Sequence, residues 1–294
     1  MNKQEQKFIQ TVQEFYDASG RHNLPWRKTH NPYLILVSEI MLQQTQVVRV
    51  LPKYQAFIKR YPTVQALAEA SLGEVLVAWQ GLGYNRRAKL LYQSALYVIH
   101  ECNGIWPKTY AELQLLPGVG LYTAGAIMAF AYNEAVPVLE ANIRTVYLHH
   151  FFTSETEVPD SAILTLVERT LDRDNPREWY WALMDYGTYV KSVYGNNTKL
   201  SASYAVQSRF TGSNRQVRGM IVRTLSNVEK ATKQQLSKHL LPTCTSVQLT
   251  EQLTALLKEK LIVQLGRIYQ LPRIVESERN KNADGHTQGQ DNKY

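Results

Sequence analysis

Cysteine is scarce in this 294-residue sequence, which has only Cys102 and Cys244, far apart along the chain. Two isolated cysteines cannot form the disulfide framework of a small secreted protein, and they are typical of a reducing compartment. The sequence also lacks an apolar run of membrane length. Its first residues, MNKQEQKFIQ, are polar and amphipathic, which does not suit a signal peptide. These absences predict a cytoplasmic protein with no membrane association.

Alternation of polar and apolar residues, the pattern of a strand, is scarce before about residue 261. Apolar residues instead recur at helical spacing, so we expect the first two thirds to be all-helical and the fold to be mainly α. The length and the 44% hydrophobic content predict a large core and two or three domains. The net charge of +8 and the pI of 9.3 suit a polyanionic partner without requiring one.

The stretch from Leu113 to Phe130, LQLLPGVGLYTAGAIMAF, predicts two helices joined by a tight turn. Pro117 ends the first helix, because it donates no backbone hydrogen bond and disfavours a helical residue before it. Gly118 and Gly120 can adopt positive φ, and their lack of side chains lets a phosphate approach the turn and the next helix N-terminus. The pattern indicates a helix-hairpin-helix, which holds one DNA strand without reading its sequence. An ordinary helical hairpin with a glycine turn is the alternative.

The helix predicted from Tyr33 to about Gln44 is apolar on nearly all sides, so it should be buried. Ser38 and Glu39 are the polar residues in its middle. A carboxylate in such surroundings loses solvation, which raises its pKa and lets it hold a proton near neutral pH, as a general acid must. The alternatives are a narrow solvated stripe or a partner arginine.

A glycine-rich turn, Gln80-Gly81-Leu82-Gly83-Tyr84, opens a long helix that carries Arg86, Arg87 and Lys89. A tyrosine followed by cations at a helix start could place a ring at the bases and charges at phosphates. A packed tyrosine and a solvated helix face are the alternative.

Six stretches, in this order and spacing, resemble one family: LPWR (24–27), SEIMLQQTQV (38–47), GLGY (81–84), LPGVGLYTAGAI (116–127), LEANIRTV (139–146) and MDYG (184–187). They are similar to the helix-hairpin-helix DNA glycosylases of the endonuclease III superfamily, and most similar to the MutY-type adenine glycosylases. The resemblance covers residues about 5 to 211. It implies a two-lobed core over 1–211, with a six-helix barrel lobe at about 25–135 and a second lobe from the N-terminal helix plus about 136–211.

The resemblance implies roles for residues around a flipped-out base. Glu39 falls at the catalytic acid that protonates the adenine and then helps direct water to C1′. Tyr122 falls where bifunctional relatives carry a nucleophilic lysine, so base removal without strand cleavage is expected. Tyr122 could instead hydrogen-bond near the reacting carboxylates. Asn142 matches a supporting polar residue, and Glu140 stands where the family has Asp.

The resemblance also implies a DNA-binding surface. Gln44 and Tyr84 fall at positions that wedge into the duplex, and Leu116, Gly118 and Gly120 match the phosphate-binding hairpin. The remaining members of the expected DNA-binding set lie in or beside these motifs: Arg27, Gln43, Gly83 and Arg86. The partner is therefore expected to be double-stranded DNA containing a mispair or an oxidised guanine, bound by a monomer associated with the nucleoid.

Two departures from the family pattern stand out. MutY-type enzymes usually hold an iron–sulfur cluster with four cysteines spaced C-x6-C-x2-C-x5-C, and the corresponding positions here are Lys191, Thr198, Ser201 and Gln207. None is a thiolate ligand, so we expect no cofactor and no metal, as in a clusterless branch. Aromatic packing is expected to replace the cluster, by Tyr189, Tyr194, Tyr204 and Phe210.

The second departure is Glu140, which keeps the charge of the family Asp but adds a methylene group. That Asp is expected to stabilise the oxocarbenium-like state, and its role depends on carboxyl placement. A shift of about 1 Å can cost about a hundredfold in rate. Glu140 either does the same task from a retracted backbone, serves another substrate or marks a weakened enzyme.

The C-terminal part predicts helices at about 215–226, 232–241 and 246–260, and a two-stranded ribbon that turns at Gly266-Arg267. Three helices and a wing over 212–275 suggest a small winged-helix-like (α+β) domain that contacts DNA or packs as a partner module. Residues 276–294 are polar and predict a disordered tail.

These observations predict a monofunctional glycosylase of base excision repair that removes adenine mispaired with 8-oxoguanine or guanine. Excision of another mispaired base, such as thymine or uracil, is one alternative. A catalytically weak protein that binds lesions or mismatches is a second. A winged-helix regulator is a third, but it leaves the first 211 residues unexplained.

Overall fold

A computed structural model describes residues 1–206, 209–241 and 243–273 of the chain. In chain order its α-helices are α1 (Lys3–Ser19), α2 (Pro32–Leu42), α3 (Val47–Arg60), α4 (Val64–Ala68), α5 (Leu72–Ala78), α6 (Arg86–His100), α7 (Tyr110–Leu113), α8 (Leu121–Ile127), α9 (Ala141–Phe151), α10 (Asp160–Thr170), α11 (Pro176–Tyr194), α12 (Asn214–Val228), α13 (Lys233–Leu240) and α14 (Ser246–Lys258). Three strands accompany them, β1 (Lys230–Thr232), β2 (Val263–Leu265) and β3 (Ile268–Gln270). The prediction of a mainly α fold is confirmed.

The chain forms two compact units. The first unit comprises Met1–Gln55 and His100–Gln207, and the second comprises Ala56–Ile99 and Ser208–Tyr294. The residues 56–99 therefore group with the C-terminal part of the chain, although the sequence assigned them to the barrel lobe. The division into a core over 1–211, a winged-helix-like domain over 212–275 and a tail remains a prediction, and residues 276–294 lie outside the described residues.

The first unit is built around α11, which packs against α9 and α1. Aromatic rings fill the space between them, because Phe8 of α1 contacts Tyr147 of α9 and Trp179 of α11 edge-on or tilted. The helix α2 lies against α8 and is buried along most of its length. Its start is fixed as the sequence predicts, since the Asn31 side chain accepts hydrogen bonds from two backbone amides and Pro32 takes the first position.

The hairpin between α7 and α8 differs in detail from the sequence prediction. The first helix ends at Leu113, before Pro117, and a turn follows. Gly118 has the expected positive φ of 82°, but Gly120 is extended at φ −92° and is the N-cap of α8. The predicted second helix continues past α8 only as a π-helical turn, Met128–Tyr132.

In the second unit, α12 packs against α13 and α14, and a three-stranded antiparallel sheet lies beside them in the order β1-β3-β2. The predicted ribbon is present as β2 and β3, which turn at Gly266 with φ 60°. The sequence missed β1, because three residues with only Ala231 buried give no alternation to detect. Three-helix-and-wing topology is thus present with one additional strand.

Short 3₁₀ turns occupy Pro25–Arg27 and Asn197–Leu200 in the first unit. Among the described residues, no helix combines the length and the apolar character that a membrane crossing requires.

Candidate active site

A cavity of about 620 Å³ opens in the first unit, lined by α2 and the segment after it, the start of α8, the entrance to α9 and α11. Most of the predicted catalytic and several predicted DNA-binding residues meet here, although they are far apart in sequence. The predicted residues that line the cavity are Arg27, Glu39, Gln43, Gln44, Tyr122, Glu140 and Asn142.

Glu39 is the buried acid of this cavity, with only 5% of its surface exposed. The all-round apolar character of α2 puts it there, because a helix of this kind has no solvated face to offer a carboxylate. Burial raises the pKa of Glu39 to about 7, and the charge of Glu140 adds to the rise, while the hydrogen bond from Tyr122 opposes it. The carboxyl group can therefore hold or release a proton near neutral pH, as its sequence surroundings predict.

Tyr122, the second residue of α8, donates its phenolic hydrogen to Oε2 of Glu39 at 2.6 Å. Burial raises the pKa of Tyr122 well above its usual value, and the two nearby carboxylates add to that rise. The phenol therefore stays protonated and acts as a donor to Glu39. In the described part of the chain, no lysine lines the cavity.

Glu140 is the N-cap of α9, and its side chain folds back onto the helix start. Its Oε1 accepts hydrogen bonds from the backbone amides of Asn142 at 2.7 Å and Ile143 at 2.9 Å. Its Oε2 lies 3.4 Å from Nδ2 of Asn142. The longer side chain thus serves two of the free amides at the helix N-terminus, where the helix dipole favours a negative charge.

Gly187 of α11 fixes the position of the α9 entrance. A Cβ atom there would lie 2.4 Å from the backbone oxygen of Asn142 and 2.8 Å from its Cβ. Only glycine lets the two helices approach this closely. The sequence showed this glycine only as part of MDYG, and no signal in a single sequence reveals which residue it faces.

Arg27 is held differently from a DNA contact. Its side chain is 4% exposed, and its Nη1 and Nη2 donate to the two carboxylate oxygens of Asp185 at 2.8 Å each. Arg21 adds a third interaction with the same carboxylate at 2.5 Å. Burial acts to raise the pKa of Asp185, but the bonds from the two arginines outweigh it and lower the pKa. This buried ion pair favours a structural role for Arg27, and Asp185 was not identified from the sequence.

The segment after α2 carries the other two glutamines of the predicted DNA-binding set. Gln43 ends α2, and its amide donates to the Glu39 carbonyl. Gln44 is exposed and has φ 53°, a conformation that non-glycine residues rarely adopt. Strained residues of this kind concentrate at functional sites. In the hairpin, Leu116 is buried, whereas Gly118 and Gly120 are exposed.

The GLGY turn belongs to the second unit. Tyr84 has φ 47° and follows the exposed Gly83, whose φ is 71°. The guanidinium groups of Arg87 and Arg215 lie 5.5 Å and 5.2 Å from the Tyr84 ring centroid, and Arg215 donates to the phenolic oxygen. Arg86 is exposed at the start of α6, whereas Arg87 is buried. The role of Arg215, which lies 131 positions from Tyr84, was not visible in the sequence.

The residues at the cluster positions of the family do not fit an iron–sulfur cluster. Lys191 donates to Oδ1 of Asn142, Thr198 to Asn196, and Ser201 shares a hydrogen bond with Ser203. None of these side chains offers a thiolate. The described residues include no group of His, Cys, Asp or Glu side chains able to hold a metal ion.

The aromatic residues expected to replace the cluster behave in two ways. Tyr189 packs against Phe15 with ring centroids 4.9 Å apart, and Tyr194 packs against His149 at 4.6 Å. Tyr204 is partly exposed, and Phe210 belongs to the second unit, where its ring contacts the Arg215 guanidinium. Packing thus comes from the first two residues.

Comparison with known proteins gives consistent matches. Residues 37–170 match the HhH-GPD superfamily base excision DNA repair protein family. The adenine DNA glycosylase of Buchnera aphidicola subsp. Baizongia pistaciae is 38% identical over 187 residues, which are 62% of this chain and 52% of that protein. The adenine DNA glycosylase of Mycolicibacterium smegmatis is 36% identical over 228 residues, which are 72% of this chain and 78% of that protein.

A solved structure of a thermostable thymine-DNA glycosylase is also similar, with a TM-score of 0.57 and 28% identity over 63% of this chain and 87% of that one. The chain spans about half the length of the Buchnera relatives. Its match to more than two thirds of the Mycolicibacterium enzyme, together with the match to the superfamily, establishes its kinship. The chain belongs to the HhH-GPD superfamily of base excision DNA repair proteins, in its MutY-type adenine glycosylase branch.

Proposed function

We propose that this protein is a monofunctional DNA glycosylase that hydrolyses the N-glycosidic bond of adenine mispaired with 8-oxoguanine or guanine. The observation that carries the proposal is the cavity that joins Glu39, Tyr122 and Glu140, with a carboxyl group whose pKa is about 7. The shared name of its bacterial relatives, adenine DNA glycosylase, supports adenine as the base.

The proposed reaction begins when the base leaves the duplex and enters the cavity, because the bond is unreachable inside the stack. Protonated Glu39 gives its proton to a ring nitrogen of adenine. The bond from C1′ to N9 then breaks, and its electron pair leaves with the base. The Glu140 carboxylate stabilises the positive charge that develops on the sugar. Water adds to C1′, and its proton returns to the Glu39 carboxylate, which restores the enzyme.

Tyr122 assists by remaining protonated and bonded to Glu39. Its hydrogen bond occupies one carboxyl oxygen, so the other can carry the transferred proton. No amine lines the described cavity, and a Schiff base with the sugar requires one. We therefore propose base removal without strand cleavage, and catalysis without an iron–sulfur cluster.

DNA binding is proposed to use the hairpin and the basic surface. The exposed Gly118 and Gly120 leave backbone amides open to a phosphate, and the net charge of +8 favours a polyanion. Gln44 and Tyr84 are proposed as the residues that fill the gap left by the flipped base. The protein is proposed to act as a monomer on nucleoid DNA in the cytoplasm.

A glycosylase assay tests the proposal. The purified chain is incubated with end-labelled duplexes that carry A opposite 8-oxoguanine or A opposite G, and samples are run with and without hot alkali. Strand breaks only after alkali, lost in Glu39→Gln, are the expected result. Breaks without alkali would contradict the monofunctional assignment.

Parallel duplexes with T opposite G and U opposite G test a second candidate. The similarity to a thymine-DNA glycosylase structure makes thymine the specific alternative. Product from these duplexes alone would move the substrate from adenine to a pyrimidine. Tight binding to the 8-oxoguanine duplex without any abasic product would instead identify a mismatch-binding protein.

A further inference from the structure

We infer that Lys191 is a positioning residue of the cavity, acting through Asn142 on the Glu140 carboxylate. Its Nζ donates to Oδ1 of Asn142 at 2.8 Å. The Asn142 amide continues the line, with Nδ2 at 3.4 Å from Oε2 of Glu140 and the backbone amide at 2.7 Å from Oε1. Lys191 on α11 is thus linked to the entrance of α9.

The chemistry of the three groups gives this line a direction. An ammonium group has only donors, so it accepts only the oxygen end of the Asn142 amide. The amide nitrogen must then face the opposite way, toward the Glu140 carboxylate, which has only acceptors. Without the ammonium, the amide can turn over and place its oxygen against that carboxylate. Lys191 therefore fixes which end of Asn142 meets Glu140.

The surroundings of Lys191 fit a fixed charge. The side chain is half-buried, and burial lowers the pKa of the amine, while the negative charge of Glu140 acts to raise it. Arg144 is the cation that disfavours the ammonium, and its guanidinium is engaged by Asp160 at 2.7 Å. Gly187, one turn before Lys191, holds the Asn142 backbone against α11. The backbone and the side chain of Asn142 are thus both fixed by one helix.

Lys191 does not line the cavity, although Asn142 and Glu140 do. A residue one layer behind the reacting groups acts by positioning them and not as a nucleophile. In the family pattern this position belongs to the first cluster cysteine, where the described residues do not fit a cluster. A position that the family is expected to use for a metal ligand therefore serves the catalytic carboxylate here. This inference rests on the proposed glycosylase function.

The test compares Lys191→Met with Lys191→Arg and with Lys199→Met, which removes an exposed lysine eight positions away. Single-turnover excision of adenine opposite 8-oxoguanine and the Kd for the uncleaved duplex are measured for each. Lys191→Met should lower the rate by about tenfold to a hundredfold, as expected for a misplaced carboxylate, with Kd changed less than about threefold. Lys191→Arg, which keeps a charged donor, should recover most of the rate, and Lys199→Met should match the wild type.

A double-mutant cycle tests the route of the effect. In an Asn142→Ala background, Lys191→Met should change the rate by less than about twofold, because the relay is already broken. Independent effects that multiply would overturn the inference. So would a loss of DNA affinity at an unchanged rate, or a borohydride-trapped adduct that disappears only in Lys191→Met.

A readout without activity separates this inference from the proposed function. The side-chain amide resonances of Asn142, assigned with Asn142→Ala, should shift in Lys191→Met and stay in place in Lys199→Met. An unshifted amide would contradict the inference even if the wild type is active. If the wild type excises no base while the amide shifts as expected, the proposed function fails and the contact stands. Thermal melting of each variant identifies any that does not fold.

Discussion

The first unit contains two buried carboxyl groups with opposite behaviour. Glu39 is 5% exposed and Asp185 is 4% exposed, so burial alone does not distinguish them. Asp185 receives hydrogen bonds from Arg27 and Arg21, and its pKa is lowered. Glu39 receives one hydrogen bond from a neutral phenol, faces a second carboxylate, and has a pKa raised to about 7.

The difference teaches what each group can do. A carboxylate held by two guanidinium groups is a fixed anion that joins α11 to the segment before α2. A carboxyl group without a cation can exchange a proton at neutral pH. Pairs of acids whose surroundings push their pKa values apart mark acid and anion roles. Here the partner residues, and not the depth of burial, assign the reactive role to Glu39.

The largest expected effect is on chemistry. Glu39→Gln keeps the shape and the hydrogen bond to Tyr122 but removes the proton donor, so the single-turnover rate should fall about a thousandfold. The melting temperature should not fall. Asp185→Asn should instead lose its rate only as far as it loses folded protein. A Glu39→Gln variant within tenfold of the wild type would remove Glu39 from the reaction.

The next effect is on stability. Asp185→Asn leaves two guanidinium groups facing a neutral amide, and loss of one partner of a buried ion pair costs about 3–5 kcal/mol. Urea unfolding at pH 7.5 measures the difference. Asp17→Asn, at an exposed acid of α1, serves as the matched control and should change the free energy of unfolding by less than about 0.5 kcal/mol. Equal effects of the two variants would contradict the structural role.

The pH dependence of stability should have opposite signs at the two acids. The pKa of Glu39 is about 7 when folded and about 4.5 when unfolded, so its contribution is fully present below pH 4.5 and is lost as the pH rises through 7. The loss amounts to about 3 kcal/mol. Asp185 has a lowered pKa, so its contribution is present at neutral pH and lost in acid.

Glu39→Gln should therefore be more stable than the wild type at pH 8, by about 3 kcal/mol more than at pH 4.5. Denaturant titrations of both proteins across this range measure it. A constant difference between them at all pH values would show that the pKa of Glu39 is not raised in the folded protein.

The smallest effect is expected at Glu140→Asp. Asp is also a good N-cap and keeps the charge, so the excision rate should change less than about tenfold. Reduced reach to the amides of Asn142 and Ile143 acts against the shorter distance that the family uses. Single-turnover kinetics measure the rate. A gain of a hundredfold would show that the present carboxylate is badly placed.

Local patterns predicted much of this protein. The helix predicted at 47–60 is found at Val47–Arg60, because its apolar and polar residues recur at the helical period. Glu39 was found because the neighbouring positions on every side of its helix are apolar. The six motifs identified the family, which the comparisons support. Each of these features depends on residues within about one or two helical turns.

Contacts between distant residues escaped prediction. Asp185 meets Arg27 across 158 positions, and Lys191 meets Asn142 across 49. Nothing near Asp185 in the sequence distinguishes it from a surface acid, and Lys191 was notable only for what it replaces. The short strand β1 exists only because β3 pairs with it. Gly187 is required by a neighbouring backbone that the sequence does not name.

The sequence by itself determined the helical fold, the family, and the buried acid, because hydrophobic periodicity and motif spacing are local properties. The tertiary structure alone decided which charges meet. Electrostatic interactions act through space and not along the chain, so a pKa depends on neighbours that folding brings close. Of the buried acids compared, folding placed two arginines beside Asp185 and a phenol beside Glu39. That placement separates the reactive acid from the structural one.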